Sequence, residues 1–141
     1  MRIFVIIAFV FIVPFIPKLV WSCESIVGEY KCGNNDNEKT LVSLAESNPY
    51  SMKQTKLGIA LGPLELDGTK RKTLKSGNVE VLYQGQCLSE SSLKIELEQI
   101  YFGGLKVRFD HELYVENDQL FLKITDYKIG KDPVVRVVPC S

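Results

Sequence analysis

The sequence predicts an all-β fold: a small antiparallel up-and-down barrel, with a two-sheet β-sandwich as the alternative. Three observations carry that expectation. From residue 25 to residue 139, short runs alternate apolar and polar, and Gly, Asn, Asp and Ser separate them at hairpin spacing. The parity of the apolar set reverses twice along these runs, which calls for bulges or bends and hence a curved sheet. Roughly eight to ten strands in so short a chain are best served by closure, because closure removes exposed edges.

The chain opens with Arg2 and an uncharged apolar run over residues 3–17, ending at Val20-Trp21-Ser22-Cys23. A basic start, an apolar stretch and small residues before a cleavage point describe an export signal, so residues 1–22 are expected to be removed. Read instead as a retained anchor, the run is shorter than the roughly 20 residues a spanning helix uses, and Pro14 and Pro17 interrupt it. Removing 22 residues from 141 leaves 119, residues 23–141, a length suited to one antiparallel β domain. The signal takes Arg2 and Lys18 with it, leaving 15 of the 17 basic residues against 17 acidic ones. That balance excludes a nucleic-acid binder, which needs a basic stripe. Lys70-Arg71-Lys72 with Lys75 reads as a solvated strand or turn.

Residues 33–37, GNNDN, are a loop by composition, and residues 38–46 read as the chain's helix, with Asn37 as its cap. Leu57, Ile59 and Leu61 give way to Leu64 and Leu66 across Gly62-Pro63, where proline removes a ladder donor and forces a bend or a strand break. Turns follow at Asp67-Gly68 and Ser76-Gly77-Asn78. Val79, Val81, Tyr83, Gly85 and Cys87 then alternate toward one side. The next strand carries Leu93, Ile95 and Leu97, then Ile100 and Phe102 in the opposite parity, which predicts a bulge near Glu98-Gln99. A two-residue turn at Gly103-Gly104 would set Phe102 opposite Leu105 and Ile100 opposite Val107. In the clearest hairpin, a turn at Asn117-Asp118 sets Val115 opposite Leu120, Leu113 opposite Leu122 and His111 opposite Ile124, with Glu112 and Lys123 on the other face. Residues 134–138, VVRVV, form the last strand.

Four cysteines, Cys23, Cys32, Cys87 and Cys140, all follow the signal, and an even count in an exported domain suggests two disulfides. Three pairings are open. Cys32 with Cys87 and Cys23 with Cys140 is preferred, because each bond closes a long loop and ties down a terminus, worth on the order of 4–5 kcal/mol per bond by chain entropy. Val20-Trp21-Ser22-Cys23 also resembles the lipobox of bacterial lipoproteins, which implies lipidation of Cys23 and a membrane anchor through it. Acylation would strand one thiol among the other three, so plain secretion is preferred.

Catalytic and cofactor chemistry find little material here. His111 is the sole histidine, and its neighbours Asp110 and Glu112 point to the other strand face, so a structural role is expected. No close cysteine pair suits zinc, and no glycine spacing suits a phosphate loop. Glu96, Glu98, Glu112 and Glu116 alternate with lysine and apolar residues as a solvated sheet face does. No catalytic, cofactor or metal residues are assigned, and a carboxylate hydrolase is the least favoured reading. Phe121 stands outside the apolar face and marks a contact surface.

Tyr30-Lys31-Cys32 and Val138-Pro139-Cys140-Ser141 are similar to the first strand and C-terminal cysteine of small envelope proteins of the membrane-bound c-type lysozyme-inhibitor kind, which implies an antiparallel barrel. In that family a Tyr closely follows Ser-Gly in the inhibitory loop; here Ser76-Gly77 is followed only at Tyr83, so that activity is not carried over. Gly28-Glu29-Tyr30 and the hairpin from Tyr114 to Leu122 resemble bacterial lipocalin-like domains, which again implies a barrel. The expectation is an exported, non-enzymatic binding or inhibitor module whose partner is an unknown protein or small ligand. A structural envelope lipoprotein anchored through acylated Cys23 is the alternative. The inward residues Val81, Leu113, Val115, Leu120, Leu122 and Ile124 are bulky enough to fill the interior, which places binding on loops 33–37, 67–72 and 88–92.

Overall fold

A computed structural model describes residues 22–33, 40–46, 51–56, 59–76 and 79–141. The signal run up to residue 21, loop residues 34–37 and the expected turn at 77–78 lie outside them. The strands are β1 (Gly28–Cys32), β2 (Thr40–Ala45), β3 (Ser51–Lys56), β4 (Ile59–Glu65), β5 (Arg71–Ser76), β6 (Val79–Ser89), β7 (Ser92–Tyr101), β8 (Lys106–Glu116), β9 (Gln119–Tyr127) and β10 (Val134–Pro139). They make two antiparallel meanders, a four-stranded sheet in the order β1-β2-β3-β4 and a six-stranded sheet in the order β10-β9-β8-β7-β6-β5.

The strands follow one another up and down, but the barrel does not close: the fold is the two-sheet β-sandwich. Among the described residues, backbone pairing joins the two sheets at two corners. One is the bridge between Cys32 and Cys140, flanked by Lys31 and Ser141 exchanging backbone hydrogen bonds at 2.8 and 3.1 Å. At the other, Asp67 bridges Gln86, and the Gly68 N–H donates to the Gly85 carbonyl at 2.7 Å. There Gly85 is required, because a Cβ would stand 2.7 Å from Leu66 Cδ2 and 3.2 Å from the Glu65 carbonyl. The Glu65 N–H also reaches across the sheets to the Tyr83 hydroxyl at 3.3 Å.

One core lies between the sheets. Val42, Leu44, Met52 and Leu64 of the smaller sheet pack against Val81, Tyr83, Leu93, Ile95, Leu97, Leu113, Leu122 and Ile124 of the larger. A short 3₁₀ turn, Glu24–Ile26, folds buried Ile26 into that core. Val115 lies at the rim and is exposed.

Residues 40–45 are strand, not helix. Thr40, Val42 and Leu44 are buried while Leu41 and Ala45 are exposed, and β2 pairs with both β1 and β3. Two ladders of backbone hydrogen bonds outweigh a weak helical spacing that contains β-branched Thr40 and Val42. The bend at Gly62-Pro63 is a β-bulge: Met52 pairs with Leu64 and Gln54 with Leu61, so these two residues oppose Lys53 alone. The bulge expected near Glu98-Gln99 is absent, because β7 and β8 keep one register from Ser92–Tyr114 to Ile100–Lys106. Ile100 therefore leaves the core face. Phe102 sits in a three-residue loop, 102–104, closed by Tyr101 and Leu105, and not opposite Leu105.

Both disulfides exist with partners exchanged relative to the preferred pairing. Cys23 bonds Cys87 and Cys32 bonds Cys140, with Cα atoms 5.5 and 4.0 Å apart. The reason is architectural. Cys32 ends β1 at the corner where β10 arrives, while the 3₁₀ turn lays Cys23 against β6. Loop length alone could not distinguish the pairings. Two disulfides and no free thiol fit an oxidising compartment. No helix among the described residues is long and apolar enough to cross a membrane.

Candidate functional site

The outer face of the six-stranded sheet carries a dense polar lattice, and strand register assembles it. Gln84, Glu96, Asp110 and Thr125 lie in one row across β6 to β9; Gln86, Lys94, Glu112 and Lys123 form the next; Leu82, Glu98, Arg108 and Tyr127 flank the first on its other side. Glu96 and Asp110 are directly opposed, an arrangement that repels unless cations intervene. Lys94 and Arg108, one row to either side, supply them. Lys94 Nζ is 2.9 Å from Glu96 and 3.3 Å from Asp110, and Arg108 reaches Asp110 at 3.1 Å and Glu96 at 3.4 Å.

Asp110 is the centre of this lattice, with a side chain only 8% exposed on an outer sheet face. Its carboxylate accepts from Arg108 Nε and Nη2 and from the Tyr127 hydroxyl at 3.1 Å. The guanidinium also lies 4.9 Å from the Tyr127 ring centroid, a cation–π contact that holds both over the carboxylate. Burial pushes the Asp110 carboxyl up, but the hydrogen bonds from Arg108 and Tyr127 and the charges of Lys94 and Arg108 outweigh it and hold it below the usual carboxylate range. The hydrogen bond to Glu96, opposed by burial, and the charge of Asp110 raise the Lys94 ammonium above its ordinary value. An acid held this firmly ionised is suited to positioning Arg108 and Tyr127, not to donating a proton.

Beside the lattice runs a shallow cleft of about 110 Å³ lined by Lys70, Leu82, Gln84, Glu96, Glu98 and Arg108, and next to it one of about 50 Å³ lined by Gln84, Gln86, Lys94 and Glu96. Small-molecule sites usually enclose several hundred Å³. These clefts can seat one or two polar side chains of a partner.

The residues singled out from sequence divide clearly. Cys23, Cys32, Cys87 and Cys140 are all in disulfides, and a sulfur bonded to Cys87 is not available at Cys23 for a thioether lipid. His111 is buried opposite Ile124, as the register required. Phe121 stands on the outer face, half-buried by stacking on Tyr114 at 5.8 Å. Glu112 pairs with Lys123 at 3.4 Å. Loop 67–72 borders the cleft through Lys70, and Arg71 is drawn to Asp67 and, at 2.7 Å, Glu65. Asp110, Arg108 and Tyr127 were not picked out as a site. Their signal was available: two acids fall opposite each other once the β7–β8 register is known. Among the described residues no group of three His, Cys, Asp or Glu could hold a metal ion. No protein-family model matches the chain, and no curated protein matches it.

Proposed function

We propose that this chain is an exported, non-enzymatic binding or inhibitor module that engages its partner with its outer surface. The observation that carries this reading is the filled interior. Leu44, Met52, Leu64, Leu93, Ile95, Leu113 and Leu122, all 0–2% exposed, occupy the space between the sheets where a carrier would keep its ligand. The sheet face is instead rigidified by the Asp110 lattice and offers a cleft of side-chain size, and two disulfides brace the scaffold beneath it.

The apolar N-terminal run and the two disulfides together support export. The structural lipoprotein reading is the weaker one, since it needs the Cys23 sulfur that Cys87 holds. Native mass spectrometry and solvent extraction of protein purified from an exporting host test the proposal. The polypeptide mass alone, with no co-purifying small molecule, is the expected result. A stoichiometric apolar ligand would make the chain a carrier.

A further inference from the structure

The two ends of the six-stranded sheet differ in chemistry. At one end, segments 89–92 and 116–119 carry Glu90, Glu116 and Asp118 with no base, and the apolar residues flanking them, Leu88 and Val115, are 40% and 38% exposed. At the other, segments 101–106 and 128–133 carry Tyr101, Phe102, Leu105 and Ile129 together with Lys106, Lys128 and Lys131, against one acid, Asp132. Phe102 is 89% exposed and Ile129 72%, more than any other large apolar residue described.

Both tips project from the same end of the sheet. Arg108 lies opposite Tyr127, so β9 leaves the sheet at the end where the β7–β8 hairpin turns, and a turn closed by the Lys131 N–H on the Lys128 carbonyl at 3.3 Å carries Ile129 at that same end. The loops stand clear of the body: a Cβ placed on Gly103, Gly104 or Gly130 meets nothing within 4 Å. All three glycines have positive φ, at 94°, 85° and 69°, which fixes the tight turns that push the apolar side chains outward.

We propose that this end docks on the surface of an anionic lipid bilayer. Phe102 and Ile129 enter the boundary between headgroups and acyl chains, Tyr101 lies at headgroup level, and Lys106, Lys128 and Lys131 meet the acidic headgroups. Two convex tips at one end, apolar at the point and basic around it, match a soft anionic interface, which needs no complementary pocket. Glu98 and Asp126, which hold Lys106 at 3.3 Å and Lys128 at 4.0 Å, lie back along the strands. In both pairs the lysine is well exposed, and such surface pairs are weak and exchange readily for lipid charges. The acidic end would face away from the membrane. This goes beyond the module's binding of a partner and rests on a different part of the surface.

Trp21 is the only tryptophan, so in a chain beginning at Cys23 the variant Phe102→Trp carries a single indole at the tip. The oxidised, exported protein, its N-terminus checked by intact mass, is titrated with phosphatidylcholine vesicles with and without phosphatidylserine. The expected result is a blue shift and vesicle flotation with the anionic vesicles only, weakened by salt. Ile129→Ser in that background should reduce affinity roughly tenfold, the consequence of losing one buried apolar side chain. Lys106→Gln with Lys128→Gln and Lys131→Gln should abolish the anionic preference, while Glu116→Gln with Asp118→Asn at the opposite end changes nothing. All variants share one N-terminus, so any contribution from residues 1–22 cancels. Equal binding to neutral vesicles, an Ile129→Ser variant that binds as well as its parent, or no blue shift at all would overturn the proposal. The last outcome would assign the tips to a protein pocket.

Discussion

Strand β8 takes part in two hairpins that could hardly differ more at their tips. With β9 it closes on Asn117-Asp118, both at positive φ (51° and 61°), a two-residue turn whose twist matches the strands. The tip is polar; Val115 beside it is exposed at the rim, but its partner Leu120 and the inward pairs Leu113–Leu122 and His111–Ile124 behind it are buried. With β7 the same strand closes on three residues, and the apolar side chains nearest that tip, Phe102 and Leu105, are exposed. The first hairpin spends its apolar residues on folding. The second holds some in solvent, where they contribute nothing to the core. Apolar residues that the fold leaves outside on glycine-bearing loops point to a contact, whereas those behind Asn117-Asp118 need no explanation beyond packing.

The largest test of this contrast removes a brace of the scaffold that carries both hairpins, the bond between the end of β1 and the residue after β10. Cys32→Ser with Cys140→Ser opens a bond spanning 108 residues and should cost about 4 kcal/mol. A denaturant midpoint checks the size. Hydrogen exchange should show both hairpins losing their highest protection together; loss confined to one would mean that β8 does not couple them.

Next comes the core they share. Leu113→Ala, at a side chain with no exposure, should destabilise by about 2–5 kcal/mol. A smaller effect would indicate a looser interior than the burial implies and would reopen the carrier reading.

Asp110→Asn probes the lattice on the outside of β8 and should cost about 1–3 kcal/mol by unpairing Arg108, Tyr127 and Lys94. The sign of the pH effect follows from its depressed pKa. Asp110's contribution is fully present above the unfolded value, about 3.9, and is lost as pH falls below that through the lower folded value. The variant should therefore lose less stability than the parent as pH falls below about 4, as followed by thermal melts. A parallel acid dependence would remove Asp110 from the account.

The smallest effect is expected at the tip. Phe102→Ser should change stability by no more than about 0.5 kcal/mol, because the side chain has no packing to lose. A cost comparable to that of Leu113→Ala would show that Phe102 is packed and would end the distinction between the hairpins.

Much of the fold was legible where turn chemistry and apolar parity agreed. Asn117-Asp118 and the alternation on either side each imply the same register. Gly62-Pro63 marked the bulge for the same reason, since a missing donor and a parity change fell together. Where the signals conflicted, the reading went astray. Ile100 and Phe102 break parity with Leu97, and a bulge was inferred to return them to the core, but the chain leaves them outside instead. Residues 40–45 were misread because four apolar residues in five satisfy both periods, and only neighbouring strands decide between them. The disulfide pairing depended on which corner each cysteine reached, a property of the closed sandwich and not of loop length. The Asp110 lattice needed the β7–β8 register, which a hairpin shifted by one residue had concealed.

Cys23–Cys87 and Cys32–Cys140 staple the sandwich, and the proposed export requires that these bonds form in the released chain. A peptide map of the natively exported protein, digested without reduction and read by mass spectrometry, tests it most directly. The account predicts a chain starting at Cys23, with no added acyl mass, and two linked peptide pairs joining those cysteines. An acylated Cys23 with a free Cys87, or Cys23 linked to Cys140 and Cys32 to Cys87, would contradict it.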